Sequence, residues 1–424
     1  MKILMLARWL PVPRRAEEAR REYRFARCLL PSHRLTLAFV TDQTDIAGPV
    51  AALRTEFGDI EFAVLPRGWR NLSAAVRVVT GQSRSVTYFR SEALRARVAQ
   101  RLTAEPFDLV YVSSSSMMPY AAELDPRIPV VADFGHVDSD WWERQAAAHA
   151  FPAANFCRTE AARLRLAETA AVRRAAHCIA ASPAAARALL ARAPGAAVTV
   201  ILDGVDEAHF APVTRLSSNG TVAIVGRLDD AAGVEALARF CLTTVPAVKA
   251  ARPDAGFLVA SLNPPVSARR LADIAGIEFV TPPEDLRGAL HRATLAVAPL
   301  PPARGPAAGI VEAMLTGLPV VATSSAAAGL GAVPDCDLVI EDNPTVLARQ
   351  LLHLLASPIP RAQLAARGLA FARTRHSWEA SAGRLAALIE ATVPLRKPSR
   401  AIAIRPAAVE LALTASGEPR AMPR

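Results

Sequence analysis

Apolar residues along this chain fall in short unbroken runs, at 2–7, 35–40, 61–65, 109–113, 130–134, 178–181 and 198–202. These runs are rich in Val, Ile and Leu and show little polar alternation, which is how strands buried on both faces of a parallel sheet read. Longer stretches with a helical period lie between several of them, at 17–30, 91–102 and 158–175. The pattern starts again in the second half, with strand runs at 221–225, 256–260, 277–280, 295–298, 319–322 and 338–341. Helical stretches accompany these at 233–250, 268–274, 285–291, 310–316 and 345–356. Strands alternating with helices predict an α/β fold, here two Rossmann-like doubly wound domains. The break between them falls near 203–213, where Gly204, Asp206 and Pro212 precede the run Leu216-Ser217-Ser218-Asn219-Gly220. The expected organisation is an N-terminal domain over 1–205 and a C-terminal domain over 206–376. A helix over 377–392 is expected to pack back toward the N-terminal domain, and a Pro-, Arg- and Ala-containing tail over 393–424 is expected to be disordered. Two such domains face each other across a crevice at the carboxyl ends of both sheets, where open α/β folds take ligands.

Composition narrows the partners. A length of 424 residues with 52% hydrophobic residues suits two folded domains with sizeable cores. The net charge is +10 and is carried almost wholly by arginine, the lysines being Lys2, Lys249 and Lys397. A basic balance favours phosphates, nucleic acid or anionic lipid. The chain has no zinc-finger spacing, no RNP-like motif and no concentrated basic tail, so nucleic acid is not expected. A nucleoside diphosphate and an anionic membrane surface remain. The five cysteines are scattered, with no Cys-x-x-Cys pair, as free thiols of a reducing cytosol would be. The apolar run at the N-terminus is too short for a signal peptide and no stretch reaches membrane-spanning length. A cytoplasmic protein is expected, with a peripheral position on the inner face of the plasma membrane open to it.

Residues 295–323, LAVAPLPPARGPAAGIVEAMLTGLPVVAT, hold the densest chemistry. They read as a buried strand, a Pro/Gly loop, a short helix, a turn and a second buried strand. The helix points its amide N–H groups and its positive dipole end at the loop, a setting that attracts a diphosphate. Glu312, in the first turn, supplies a carboxylate that can accept from two vicinal ribose hydroxyls.

With these residues in view, the chain resembles the retaining GT-B glycosyltransferases of family 4. It is closest to the sugar transferases of PEP-CTERM/exosortase-associated exopolysaccharide clusters. The resemblance runs from about Met1 to Glu390. It rests on the Pro-rich loop at Pro11–Arg15, on Val86–Arg90 with Leu94 and Val98, and on Ala132-Asp133-Phe134-Gly135-His136-Val137-Asp138-Ser139-Asp140-Trp141. It continues through Asp203-Gly204-Val205-Asp206, Val297-Ala298-Pro299-Leu300, Arg304-Gly305, Glu312-Ala313-Met314, Pro319-Val320-Val321-Ala322 and Ser377-Trp378-Glu379. The resemblance implies a nucleotide-sugar donor, a glycan or lipid-linked acceptor and no metal or other cofactor. It gives Glu312 the ribose, and the backbone at Gly309, Ile310 and Val311 the donor phosphates. Arg227, after Gly226, would neutralise the diphosphate leaving group, and Arg304 with Gly305 would touch the donor. His136 and Asp138 follow a buried strand toward the crevice, where either could orient or deprotonate an acceptor hydroxyl; capping of a loop is their plainer role.

The chain departs from the family pattern in several places. Ala232 stands where a diphosphate-binding lysine is common, and Arg304 where a second glutamate is usual, although the closer group also has Arg-Gly there. Ala308-Gly309 stands where that group continues with Asn-Lys, and Glu17-Glu18 where it has a glycine pair. They keep open a second reading, a GT-B-fold binding or scaffold protein that partners a true transferase, and a third, a nucleotide-sugar epimerase. Trp141 and Trp142 read as core rather than sugar platforms. Arg20, Arg21, Arg24 and Arg27, and Arg67, Arg70, Arg77, Arg84 and Arg90 with Trp69, Tyr88 and Phe89, read either as solvated faces or as a patch resting on an anionic membrane.

Overall fold

The computed structural model of the protein describes residues 1–11, 21–43, 45–65, 81–122, 124–212, 219–226, 228, 231–260, 265–280, 286–299 and 308–393. Strands β1 (Lys2–Ala7), β2 (Arg34–Thr41), β3 (Asp59–Val64), β4 (Leu109–Ser113), β5 (Val130–Gly135), β6 (His177–Ala180) and β7 (Val198–Val200) form one sheet, in the order β3-β2-β1-β4-β5-β6-β7. Strands β8 (Val222–Ile224), β9 (Phe257–Ala260), β10 (Glu278–Val280), β11 (Leu295–Ala298), β12 (Val320–Ala322) and β13 (Val339–Ile340) form a second, in the order β10-β9-β8-β11-β12-β13. Every pairing in both sheets is parallel. Each apolar run picked out in the sequence is a strand, and both sheets are doubly wound.

The first sheet is accompanied by α1 (Arg21–Leu29), α2 (Ala47–Phe57), α3 (Arg84–Tyr88), α4 (Glu92–Ala104), α5 (Met118–Ala122), α6 (Asp138–Ala148), α7 (Ala153–Arg174) and α8 (Pro183–Arg192). The second carries α9 (Ala231–Ala251), α10 (Val266–Ala275), α11 (Leu286–His291), α12 (Ala308–Leu315), α13 (Pro344–Ala356) and α14 (Pro358–His376), and α15 (Trp378–Thr392) follows. Several helices start where capping chemistry demands. Ser182 and Asn343 accept from amides of the first turn and are each followed by a proline, whose missing N–H costs nothing there.

Along β1, Leu4 and Leu6 enter one core with Val98 and Leu189, while Ile3 and Met5 enter the core on the opposite face with Phe25 and Leu53. A strand alternates its side chains between faces, so a sheet covered on both sides needs an unbroken apolar run. Trp378, Leu385 and Ile389 of α15 belong to that second core, so the last helix covers the first sheet although its chain has just left the second.

The chain therefore passes twice between the sheets, and the two passages lie side by side. The Val205 amide donates to the His376 carbonyl at 2.8 Å, and Ser381 Oγ donates to the Leu202 carbonyl at 2.8 Å. A Cβ on Gly204 would sit 2.5 Å from the Trp378 nitrogen, so this approach requires glycine. Residues Met1–Val393 cluster as a single unit. The tail at 394–424 lies outside the described residues.

A candidate active site where both sheets reverse their strand order

Each sheet reverses direction once, between β1 and β4 in the first and between β8 and β11 in the second. Neighbouring loops leave to opposite sides at such a point and open a crevice at the carboxyl ends of the strands. An open cleft of about 400 Å³ is lined by groups from both crevices, a size that suits a small-molecule ligand. From the first sheet come Arg8 just past β1, Ser113 and Ser114 at the end of β4, and Asp133, His136 and Asp138 at the end of β5; from the second come Ala308 and Glu312. The floor is the double passage itself, through Asp203, Gly204, Val205, Asp206 and Trp378.

Arg21 organises the first-sheet wall. Its Nε donates to Asp133 at 2.7 Å, one terminal nitrogen donates to Asp203 at 2.6 Å and the other to the Ile201 carbonyl at 2.8 Å. Tyr111, buried beneath, donates to the same Asp133 carboxylate, which also accepts from the Gly135 amide at 3.0 Å. Burial alone would pull the Arg21 guanidinium down, but Asp133 and Asp203 outweigh it and hold it well above its ordinary value. Burial and the adjacent Asp133 charge push the Tyr111 phenol well up. One turn on, Arg24 pairs with Asp206 at 2.7 Å and lies over the Trp378 ring. Burial opposes ionisation of Asp206, yet hydrogen bonds from Arg24 and the His209 amide hold its carboxyl below the usual range.

Asp138 accepts from Arg8 at 3.0 Å, and the same Arg8 nitrogen reaches Ser114 Oγ at 3.3 Å. Ser114 adopts φ of +76°, a conformation that side chains seldom take outside functional loops. Ser139, which follows Asp138, is gripped from behind: the fully buried Glu168 carboxylate accepts from its amide at 3.0 Å and its hydroxyl at 2.7 Å. The start of α6, and Asp138 with it, is thus fixed from two sides.

The structure brings Glu312, His136 and Asp138 to one cleft. Gly226 has φ of +132°, and a Cβ on Gly309 would meet the Gly226 nitrogen and Val225 Cβ at 3.3 Å. Gly309 thus lets the start of α12 lie against the end of β8. Ile310 and Val311 bury their side chains in a core of the second sheet, so only their backbone is available to a ligand. Arg227, Arg304 and Gly305, and with them Glu17 and Glu18, lie outside the described residues; Ala232 falls in the first turn of α9. Among the described residues, no three of His, Cys, Asp and Glu are placed to hold a metal ion.

One alternative left open by the sequence closes. Arg21 and Arg24 do not form a basic face for a membrane: their carboxylate partners turn them into the cleft. Asp138 is the first residue of α6. Trp141 and Trp142 form an edge-to-face pair, and Trp142 Nε1 donates to Ser85 at 3.2 Å, which is packing. Sequence reasoning missed Arg8, Ser114 and the Arg21–Asp133–Asp203 group. Asp133, inside the quoted 132–141 motif, and Asp203, inside the quoted 203–206 motif, carried a signal.

Two doubly wound parallel sheets with a cleft between their switch points make up the GT-B fold. Residues 219–357, which include all six strands of the second sheet, match the family described as Glycosyl transferases group 1. A curated relative is the GDP-mannose-dependent monoacylated alpha-(1-6)-phosphatidylinositol monomannoside mannosyltransferase of Corynebacterium glutamicum. It is 30% identical over 207 residues, which cover 44% of this chain and 54% of the relative, so the match spans about half of that enzyme. Among solved structures, Anabaena Alr3699/HepE in complex with UDP is similar at a TM-score of 0.62 and 18% identity, over 92% of this chain and all of that one. The sucrose-phosphate synthase of Thermosynechococcus elongatus is similar at a TM-score of 0.62 and 17% identity, over 92% of this chain and 98% of that one.

Proposed function

We propose that this protein is a glycosyltransferase that moves a sugar from a nucleoside-diphosphate donor to a glycan or lipid-linked acceptor. The observation that carries the reading is the convergence of Glu312 from the second sheet with His136 and Asp138 from the first on one cleft. Glu312 takes the donor ribose, and the backbone at the start of α12 faces the diphosphate. Arg227 and Arg304 are the cations assigned to the phosphates, Arg227 beside the leaving group. His136 and Asp138 engage the acceptor hydroxyl: Asp138, tied to Arg8, accepts its hydrogen bond, and His136 receives its proton. Retention at the anomeric carbon and a place in exopolysaccharide assembly follow from the resemblance in the sequence. A cytoplasmic location with peripheral membrane contact is compatible with the absence, among the described residues, of a helix able to span a membrane.

The test is thermal stabilisation by UDP, GDP and their sugar conjugates, since the relatives include one that takes GDP-mannose and one solved with UDP. Ligand that binds the folded state raises the midpoint with concentration over Kd. One nucleotide class should stabilise the protein, and Glu312→Ala should abolish the shift. No shift with any nucleotide at millimolar concentration overturns the donor site. That result would favour the scaffold reading, which draws its support from the neutral Ala232 where a phosphate-binding lysine is expected.

A further inference from the structure

We propose that the turn joining α6 to α7 is a membrane-docking tip that seats on anionic lipid. Residues 149–153, His-Ala-Phe-Pro-Ala, are all exposed, and Phe151 at their centre is 84% exposed. A phenyl ring standing that far out of a folded surface makes no ring contact among the described residues, although apolar surface is normally removed from water. Phe156 on the next turn is also exposed; it packs edge-to-face on Trp142 and lies under the Arg84 guanidinium. Trp142 is only half-buried and keeps its indole N–H bonded to Ser85. An apolar body with a satisfied polar edge suits the headgroup boundary.

The charge around this turn has one sign left over. Arg84 on α3, Arg144 on α6 and Arg158 on α7 are exposed, and Arg144 and Arg158 make no ion pair among the described residues. On α6 the exposed Glu143 is already paired with Arg165. Arginine stems can lie along the apolar boundary while their heads meet lipid phosphates. A folded protein partner would need a broad patch of about 800 Å², whereas the exposed turn is a run of only five residues, 149–153. A bilayer accepts such a shape without complementarity.

The site and the tip are two ends of one element. Helix α6 begins at Asp138 in the cleft and ends at Ala148 beside the tip, so its 11 residues span about 15 Å. A membrane-anchored acceptor could then rise along α6 to the cleft while its lipid stays in the bilayer. That link rests on the glycosyl-transfer reading above; the docking does not.

The experiment is sedimentation of the full-length protein with vesicles of equal parts phosphatidylglycerol and phosphatidylcholine. The protein should bind, and Phe151→Asp should weaken the partition at least about tenfold, the loss expected for a buried phenyl ring. Leu242→Asp, at a comparably exposed apolar site on α9, should bind as the parent does. Unchanged melting temperatures in both variants exclude misfolding. Binding by the parent that survives Phe151→Asp, or no binding by the parent, overturns the proposal. So does Phe151-dependent self-association without vesicle binding, which would make the tip a protein interface. A protein that binds vesicles but no nucleotide would uphold the tip and overturn the donor site, so the two failures are separable.

Discussion

Arg21 shows how much one side chain decides in this molecule. Its guanidinium spans the end of β5, through Asp133, and the passage to the second sheet, through Asp203. The Asp133 side chain is only 2% exposed. Removing its cation leaves a buried charge with only the Tyr111 hydroxyl and the Gly135 amide to hold it. Such a loss typically costs about 3–5 kcal/mol, whereas replacing both partners together is often close to neutral. Arg21→Met should therefore lower the urea midpoint steeply, and Arg21→Met with Asp133→Asn should recover much of the loss. If the double variant is no more stable than the single one, Arg21 acts through packing on Phe25 and not through its charge.

At the scale of elements, the paired passages at 203–206 and 376–378 join the two sheets. Gly204 has no room for a side chain because the obstacle is the Trp378 backbone. A methyl there must push the passages apart and strain the Val205–His376 hydrogen bond. Gly204→Ala should lower the melting temperature by several degrees, whereas Gly48→Ala, where a Cβ meets nothing within 4 Å, should leave it unchanged. Equal melting temperatures for the two variants would mean that the joint yields freely. The same region marks the limit of what the sequence revealed. Buried parallel strands announce themselves as unbroken apolar runs, so all of the strands were legible. Helices α2, α6, α8 and α14 were not, because alanine in their sequences blurs the contrast between faces, although Ser182-Pro183 ahead of α8 is a start signal; α3 and α5, of five residues each, are too short to show a period. Glu312, His136 and Asp138 were legible because local motifs hold them. Arg21 and Arg8 were not, since their partners lie 182 and 130 positions away and no local pattern encodes such a meeting.

For the whole molecule, the joint also carries a titratable group. His376 is fully buried, and one ring nitrogen, Nε2, is 3.2 Å from the Leu330 carbonyl in the second-sheet core. The carbonyl can only accept, so Nε2 carries a hydrogen, and Nδ1 has no partner among the described residues. Burial, partly offset by the Leu330 hydrogen bond, lowers the His376 pKa from 6.5 to about 4. Between those values the unfolded chain holds the proton and the folded protein does not. Stability then rises with pH: the contribution is complete above about pH 6.5 and is lost progressively as the pH falls toward 4. At 1.36 kcal/mol per pKa unit, the loss across that window is roughly 3 kcal/mol. His33 and His177 shift in the same direction, and Asp59, Asp206 and Asp342 contribute at lower pH. The share belonging to His376 is therefore read as a difference between proteins. Urea unfolding of the parent and of His376→Gln at pH 7.5 and pH 5 should show the variant weaker at pH 7.5 but flatter with acidification. Parallel pH profiles for the two proteins would mean that the neutral imidazole at the joint does not govern how the two halves come apart in acid.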